Sequence, residues 1–442
     1  MPTFYNGKHL IDTDGNVVHC HGAGIMEYDG WYYLFGEDRR GDNRVSCYRS
    51  RDLVNWEFRN VVLTLNSPTG RHYVRTEPQL GPRGFGPDGL PKVGPRGANI
   101  ERPKVLYCEK TGKFVMWMHY ENGRDYNAAR CAVAVCDTVD GDYTYLGSFN
   151  PVGNMSRDCT LFKDDDGTAY FISSARDNAD MIIYRLSDDY LSVDEQIKTL
   201  WPGQFREAPV IFRRGEYYFM LTSQCTGWNP NQGGVACSKS IDGRWSSIVP
   251  FGNTTTYNTQ PTAMVKVGED YLYIGDRWDP VDYQNSKIII LPMTFPAEDR
   301  CELVWADEVE FTETGIKTTA REVEEFRIVL RAYVDYVGSD GYNIFSKHLG
   351  YNDRSLLWTR EEVDGGFMLR HSESGRYMSG DGIMADYAEN EPRLVWSTAP
   401  ASEGELLINK HSGKSVLIFG RRVILADADD KRFGGYRFVE NY

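Results

Sequence analysis

The chain is expected to be all-β: a five-bladed β-propeller over residues 1–311, then a β-trefoil-like domain over residues 312–442. Three observations lead there. A length of 442 residues, at roughly 150 per domain, fills two or three domains. A turn glycine followed by a short aromatic-rich run recurs five times before residue 280. After Trp305 a different, shorter repeat takes over. The 28 Tyr, 20 Phe and 10 Trp beside 43 Gly suit many short strands joined by tight turns.

The first repeat runs Asp29-Gly30-Trp31-Tyr32-Tyr33, Thr111-Gly112-Lys113-Phe114-Val115, Asp166-Gly167-Thr168-Ala169-Tyr170, Arg214-Gly215-Glu216-Tyr217-Tyr218 and Val267-Gly268-Glu269-Asp270-Tyr271. The glycines are 82, 55, 48 and 53 residues apart. Each copy reads as the second strand of a small sheet, entered by a hairpin turn. Arg44–Arg49 and Ala128–Ala134 follow as third strands. Five four-stranded units at this spacing make a five-bladed propeller. The long first step is an insertion between blades: residues 62 to 98 hold Pro68, Pro78, Pro82, Pro87, Pro91 and Pro95, which predict a loop over one face or a plain spacer.

In the second repeat Gly338, Gly375 and Gly413 stand 37 and 38 residues apart, with Trp358, Trp396 and Tyr436 some twenty residues after each. Three such units indicate a β-trefoil. Ser374-Gly375-Arg376-Tyr377-Met378 aligns with Ser412-Gly413-Lys414-Ser415-Val416, and the first unit matches these less closely.

Composition excludes several classes. With 49 basic against 63 acidic residues, a net charge of −14 argues against a general nucleic-acid partner. No run of 18 apolar residues exists, so no membrane partner is expected. All nine Cys lie between Cys20 and Cys301 with no close pair, which suggests reduced thiols within strands. A monomer is expected. The start has no apolar leader, and the thiols fit a reducing interior; a polymer substrate argues instead for export with a leader removed. The compartment stays open.

In a propeller the first strand of each blade lines the central channel, so polar residues at its mouth converge from distant parts of the sequence. Counting back from each turn glycine gives Glu101 at 11, Asp158 at 9, Glu207 at 8 and Gln260 at 8; blade one supplies His21 and Gly22 at 9 and 8. Three carboxylates around one axis raise each other's pKa and are costly without a use. Asn99-Ile100-Glu101-Arg102-Pro103 and Arg206-Glu207-Ala208-Pro209 share a proline two residues past the acid, expected to end ladder pairing at the mouth. Arg206 is expected to face outward, opposite Glu207. A carboxyl pair flanking a sugar is the usual apparatus for cleaving glycosidic bonds. No Gly-x-Ser-x-Gly elbow or HExxH motif is present, and Asp164-Asp165-Asp166-Gly167 reads as a hairpin tip rather than a calcium loop.

Together with Tyr32-Tyr33, His21-Gly22-Ala23-Gly24 and Thr259-Gln260-Pro261-Thr262, these motifs resemble glycoside hydrolase family 43, most closely its exo-β-1,3-galactanase branch, over about residues 4 to 311. The resemblance implies an inverting enzyme releasing galactose from a polysaccharide or oligosaccharide. It implies Glu207 as general acid, Glu101 holding the terminal galactose hydroxyls, and Gln260 standing where most members have a base. Most members carry that base as an Asp at the head of blade one, where this chain has Gly22. Asp158, Tyr126, Thr226 and Trp228 are the implied sugar contacts, with Glu37 and His21 as further candidates. Gln260 would orient water through its carbonyl or act as an imidic acid. No cofactor is required; family propellers sometimes hold calcium at the axis, and no ligands for it are identified here. An α-L-arabinofuranosidase or β-xylosidase on the same fold is the alternative, or a sugar-binding propeller that lost catalysis with its Asp. The C-terminal repeat resembles ricin-like carbohydrate-binding modules, but Leu356 and Leu394 stand where those carry Gln; a structural cap is the equal alternative.

Overall fold

The structure is a computed structural model. It describes residues 1–442 apart from 73–74, 76–79, 82–91, 254, 280–281, 321–323, 331–334, 349–352, 388–390, 403, 420–421, 428–434 and 442. The chain is all-β, a propeller arrangement followed by a second sheet unit. Five four-stranded antiparallel meanders follow one another. Their inner strands are His21–Tyr28, Asn99–Cys108, Cys159–Lys163, Arg206–Arg214 and Gln260–Val267. The repeated aromatic runs form the second strands, Trp31–Asp38, Lys113–Glu121, Ala169–Ala175, Tyr217–Gln224 and Asp270–Arg277. Counted as sheets, the arrangement has six rather than five: Thr3–Tyr5 pairs with Glu308–Phe311, which pairs with Ile316–Thr319. Sequence periodicity missed this sheet because its strands lie at opposite ends of the repeat.

The second and third strands of each four-stranded sheet are buried on both faces, which is why they read as apolar runs rather than alternating ones. In sheet two, Met116 and Met118 pack with Phe35 and Val45 of sheet one, while Val115 and Trp117 pack with Phe171 and Tyr184 of sheet three. Ile172 meets Met220 between sheets three and four, and Leu221 meets Tyr273 between four and five. Leu34 and Tyr48 of sheet one meet Leu272 and Ile274 of sheet five, so the apolar layers return to their start. Phe4, Val309 and Phe311 from the three-stranded sheet bury in that last layer. The inner strands touch in the same cyclic order, which sets a channel at their centre.

The middle of the proline-rich insertion, including Pro78, Pro82, Pro87 and Pro91, lies outside the described residues. Its described parts are anchored: Leu80, Val93 and Ala98 are buried between sheets one and two, and Thr69 bridges to Tyr145. The nine thiols are all free.

In the C-terminal unit, Glu325–Leu330, Trp358–Val363, Gly366–His371, Val395–Pro400, Glu405–Asn409 and Tyr436–Glu440 pair in a closed ring. Three hairpins project from it. The aromatic anchors occupy equivalent places: Trp358 Nε1 donates to Val337 O at 2.9 Å and Trp396 Nε1 to Met378 O at 3.0 Å. Tyr436, which replaces the third Trp, accepts at its hydroxyl from Ile418 N at 2.8 Å. The first unit is thus built like the others. Leu356 and Leu394 are buried in this unit.

Candidate active site

Four of the five inner strands carry the same irregularity at the channel mouth. Their register slips between His21 and Gly24, Glu101 and Lys104, Glu207 and Val210, and Pro261 and Ala263. Gly22, Arg102 and Ala208 hold left-handed φ of 57°, 49° and 54°. These are β-bulges, which re-aim side chains and are frequent beside active sites. Pro103 and Pro209 therefore do not end the ladder as expected: they sit inside bulges, where a missing N–H costs no pairing, and pairing resumes beyond them. The bulge also breaks strand alternation, so the neighbours Glu101 and Arg102 line one cavity.

That cavity, of about 170 Å³, is lined by Glu37, Arg39, Glu101, Arg102, Tyr126, Asp158, Glu207, Gly227, Trp228, Gln260 and Trp278. Seven expected site residues meet there. Two do not. His21 is buried, with Nδ1 3.0 Å from Asp276 Oδ1, because the bulge turns it away from the channel and under Trp278. Thr226 spends its hydroxyl on the turn, donating to Asn229 O at 2.6 Å and accepting from Asn231 Nδ2 at 2.8 Å, and so presents Gly227 and Trp228. Arg206 does not reach solvent either; it is buried in sheet four, where Nε donates to Thr222 Oγ1 and Nη2 to Thr222 O, each at 2.9 Å.

At the head of sheet one the missing carboxylate is compensated from two sides. Asp276 Oδ2 accepts from Gly22 N at 2.9 Å. A Cβ on residue 22 would lie 2.9 Å from Glu37 Oε1 and 3.2 Å from Arg102 N, so the glycine is required for packing as well as for its φ.

Glu207 accepts from Gln260 Nε2 at 3.1 Å and from Asn178 Nδ2 at 3.2 Å. Burial, then the negative charge of Asp158, push its carboxyl up to about 8, against the opposing pull of Arg102 and of hydrogen bonds from Cys225 and Gln260. Asp158 is held by Arg102 Nε at 2.8 Å and Ala208 N at 3.0 Å. Glu101 is the opposite case. Burial alone would raise it, but His119, Arg39 and Tyr126 hold it well below the usual carboxylate range. Tyr126 OH donates to its Oε1 at 2.5 Å, and Arg39 Nη2 reaches the same oxygen at 2.7 Å. Glu37, paired with Arg39 Nε at 2.8 Å, is carried by burial up to about 7. One pocket thus holds a carboxyl kept protonated at neutral pH and another kept ionised, the separation that acid–base chemistry on a glycosidic bond uses.

Gln260 is fully engaged. Its Oε1 accepts from Arg102 Nη2 at 2.6 Å and Trp278 Nε1 at 2.7 Å, and its Nε2 donates to Glu207 and to Ser223 Oγ at 2.9 Å. Trp228 lies nearly parallel to Trp278, ring centroids 6.0 Å apart, with Arg39 over it at 5.6 Å.

Calcium does not fit this axis. Among the described residues, the group close enough to share an ion is Glu101, His119 and Asp158. Its carboxylates already carry Arg39 and Arg102, and the imidazole contributes nitrogen where calcium takes six to eight oxygens.

Sequence reasoning missed Arg39, Arg102, His119, Trp278 and Asp276. A signal for some of them exists. Glu37, His119, Ser223 and Asp276 stand seven or eight residues past their turn glycines and pair in register with His21, Glu101, Glu207 and Gln260. Counting forward as well as back would have found this second ring.

A family model for glycosyl hydrolases family 43 matches residues 103–266. The whole chain is similar to an exo-β-1,3-galactanase from Clostridium thermocellum, 32% identical over 99% of each chain with a TM-score of 0.63. It is also similar to a family 43 β-1,3-galactosidase, 28% identical over 99% of this chain and 94% of the other, with a TM-score of 0.62. A β-xylosidase of Bacillus subtilis (strain 168) is 24% identical over 213 residues, 45% of this chain; the match spans about a third of that relative's length, 35%.

Proposed function

The chain belongs to glycoside hydrolase family 43, and from that premise we propose that it is an exo-acting, inverting hydrolase releasing galactose from the ends of β-1,3-galactan chains. The observation carrying this reading is the likeness, over nearly the whole of both chains, to the Clostridium thermocellum exo-β-1,3-galactanase. The match to a xylosidase reaches less than half of this chain and favours the alternative more weakly.

In this reading Glu207, protonated near neutrality, gives its proton to the glycosidic oxygen as the bond to C1 breaks, while a water on the opposite face of the ring forms the new bond to C1 and releases its proton to solvent. Glu101 stays ionised and accepts hydrogen bonds from sugar hydroxyls beside Tyr126, while Asp158 keeps Glu207 protonated through its charge. Trp228 offers a ring face to the pyranose. Gln260 holds Glu207 in place: both its carbonyl lone pairs and both its N–H groups are used, which weighs against either water-activating role unless the sugar breaks one of these bonds. Inversion is supported by membership of family 43, whose members invert.

The propeller is read as five-bladed, with the three-stranded sheet sealing the layer between its first and last blades. The C-terminal unit is read as a β-trefoil whose buried Leu356 and Leu394 favour a structural role over sugar binding at those positions. The division between the two is read as lying just past Thr319, a reading supported by the pairing of residues 316–319 with Glu308–Phe311. Incubation with β-1,3-galactan, beside aryl arabinofuranoside and xyloside, tests the reading: free galactose from galactan alone is expected. Release of arabinose or xylose would favour the alternative, and no release from any would leave a binding propeller.

A further inference from the structure

His119 sits on the second strand of sheet two, opposite Glu101 in register and 2% exposed, and it does not line the cavity. Its two ring nitrogens both face carboxylates. Nε2 lies 3.0 Å from Glu121 Oε1, and Nδ1 lies 3.2 Å from Glu101 Oε2 and 4.0 Å from Asp158 Oδ1. Glu121 is wholly buried and its other oxygen accepts from Ala129 N at 3.0 Å. A neutral imidazole has one donor and one acceptor nitrogen, so it would set a lone pair against one of these carboxylates. The doubly protonated ring suits both sides, hydrogen-bonding Glu121 through Nε2 and setting its charge 3.2 Å from Glu101 through Nδ1.

We propose that His119 is a positioning residue whose permanent imidazolium charge, set behind the pocket wall, keeps Glu101 ionised and directed into the sugar pocket. The proposal rests on the reading of this pocket as a sugar-hydrolysing site. The electrostatics agree: burial would lower the imidazole, but Glu101 and Glu121 carry it up to about 10. The other charged groups around the pair have separate duties. Arg39 divides itself between Glu37 and Glu101, and Arg102 between Asp158 and Gln260. Glu121 also accepts from Ala129 N, a neutral donor, so an uncharged ring would leave its carboxylate with less compensation, a costly state when buried.

Two measurements test this. The first is independent of catalysis: in the full chain labelled with ¹⁵N-histidine, the His119 ring should show two protonated nitrogens at pH 7.5 and hold them beyond pH 9. Neutral-ring shifts at pH 7.5 would overturn the proposal, whatever the substrate proves to be. The second is the pH profile of His119→Asn on galactan. Removing a cation raises a neighbouring carboxylate's pKa, so Glu101 should protonate at higher pH. The acidic limb of kcat/KM should move up by about one pH unit, about a tenfold loss at any pH on that limb, with KM raised. A folded variant whose acidic limb stays put would reduce His119 to a packing residue and refute the idea. Should His119→Asn not fold, Glu121→Gln leaves the ring in place and should bring its titration down into the range visible by NMR; a ring titrating as in the parent would count equally against the proposal.

Discussion

Replacing Glu207 by Gln should slow hydrolysis and stabilise the fold, with the stabilisation growing as pH rises. In the folded chain the carboxyl is held up to about 8 from an ordinary 4.5; unfolded, it ionises near the ordinary value. Between these limits the folded state keeps a proton that the unfolded state has released. Stability therefore falls as pH rises through that window, and the full cost is present above about pH 8. At about 1.36 kcal/mol per pH unit the window amounts to about 5 kcal/mol. Because the carboxyl opens onto a solvent-accessible pocket, about 2–3 kcal/mol is the scale to expect. Gln has the same shape, never ionises, and still accepts from Gln260 Nε2 through its carbonyl. Thermal unfolding of parent and Glu207→Gln at pH 5, 7 and 9 reads the effect. The midpoints should nearly coincide at pH 5 and separate by about 4–12 °C at pH 9, taking about 2–4 °C per kcal/mol. On galactan the same variant should lose about 10²–10⁴-fold in kcat. A midpoint gap that stays constant or closes as pH rises would show that Glu207 is not held protonated by the fold, and full activity on a poor leaving group would remove it as the acid.

Gln260→Glu should lower kcat and move the basic limb of the pH profile upward, because a carboxylate 3.1 Å from Glu207 retains the acid's proton; a profile matching the parent would free Gln260 from any part in the acid's poise. Proton NMR of the first-formed galactose should show the α-anomer from a β-galactoside, and initial β-anomer would contradict inversion. A chain ending at residue 320 should fold and stay soluble, whereas one ending at 311 leaves the Glu308–Phe311 edge unpaired; equal behaviour of the two in size-exclusion chromatography would count against the later boundary.

Much of the architecture was legible because propeller sheets repeat. A turn glycine with φ above zero, as at Gly30, Gly112, Gly167, Gly215 and Gly268, followed by a strand buried on both faces, leaves a periodic trace in one dimension. The same periodicity brought Glu101, Asp158, Glu207 and Gln260 to one axis before any coordinates. The sequence could not say which way side chains turn once a bulge breaks strand alternation, so His21 was expected in the pocket and Arg102 was passed over. Nor could it place the three-stranded sheet, whose pairing of Thr3–Tyr5 with Glu308–Phe311 spans the whole repeat.

By itself, then, the order of residues determined the repeat, the ring of polar residues and the family likeness, because each rests on local spacing. Only the tertiary structure decided protonation and partnership. Glu101 and Glu207 are the same residue type beside equivalent bulges, yet one is held ionised by His119, Arg39 and Tyr126 while the other is kept protonated by burial and by Asp158. That difference depends on which groups from other sheets come within hydrogen-bonding distance across the channel, and a separation through space has no counterpart in a separation along the chain.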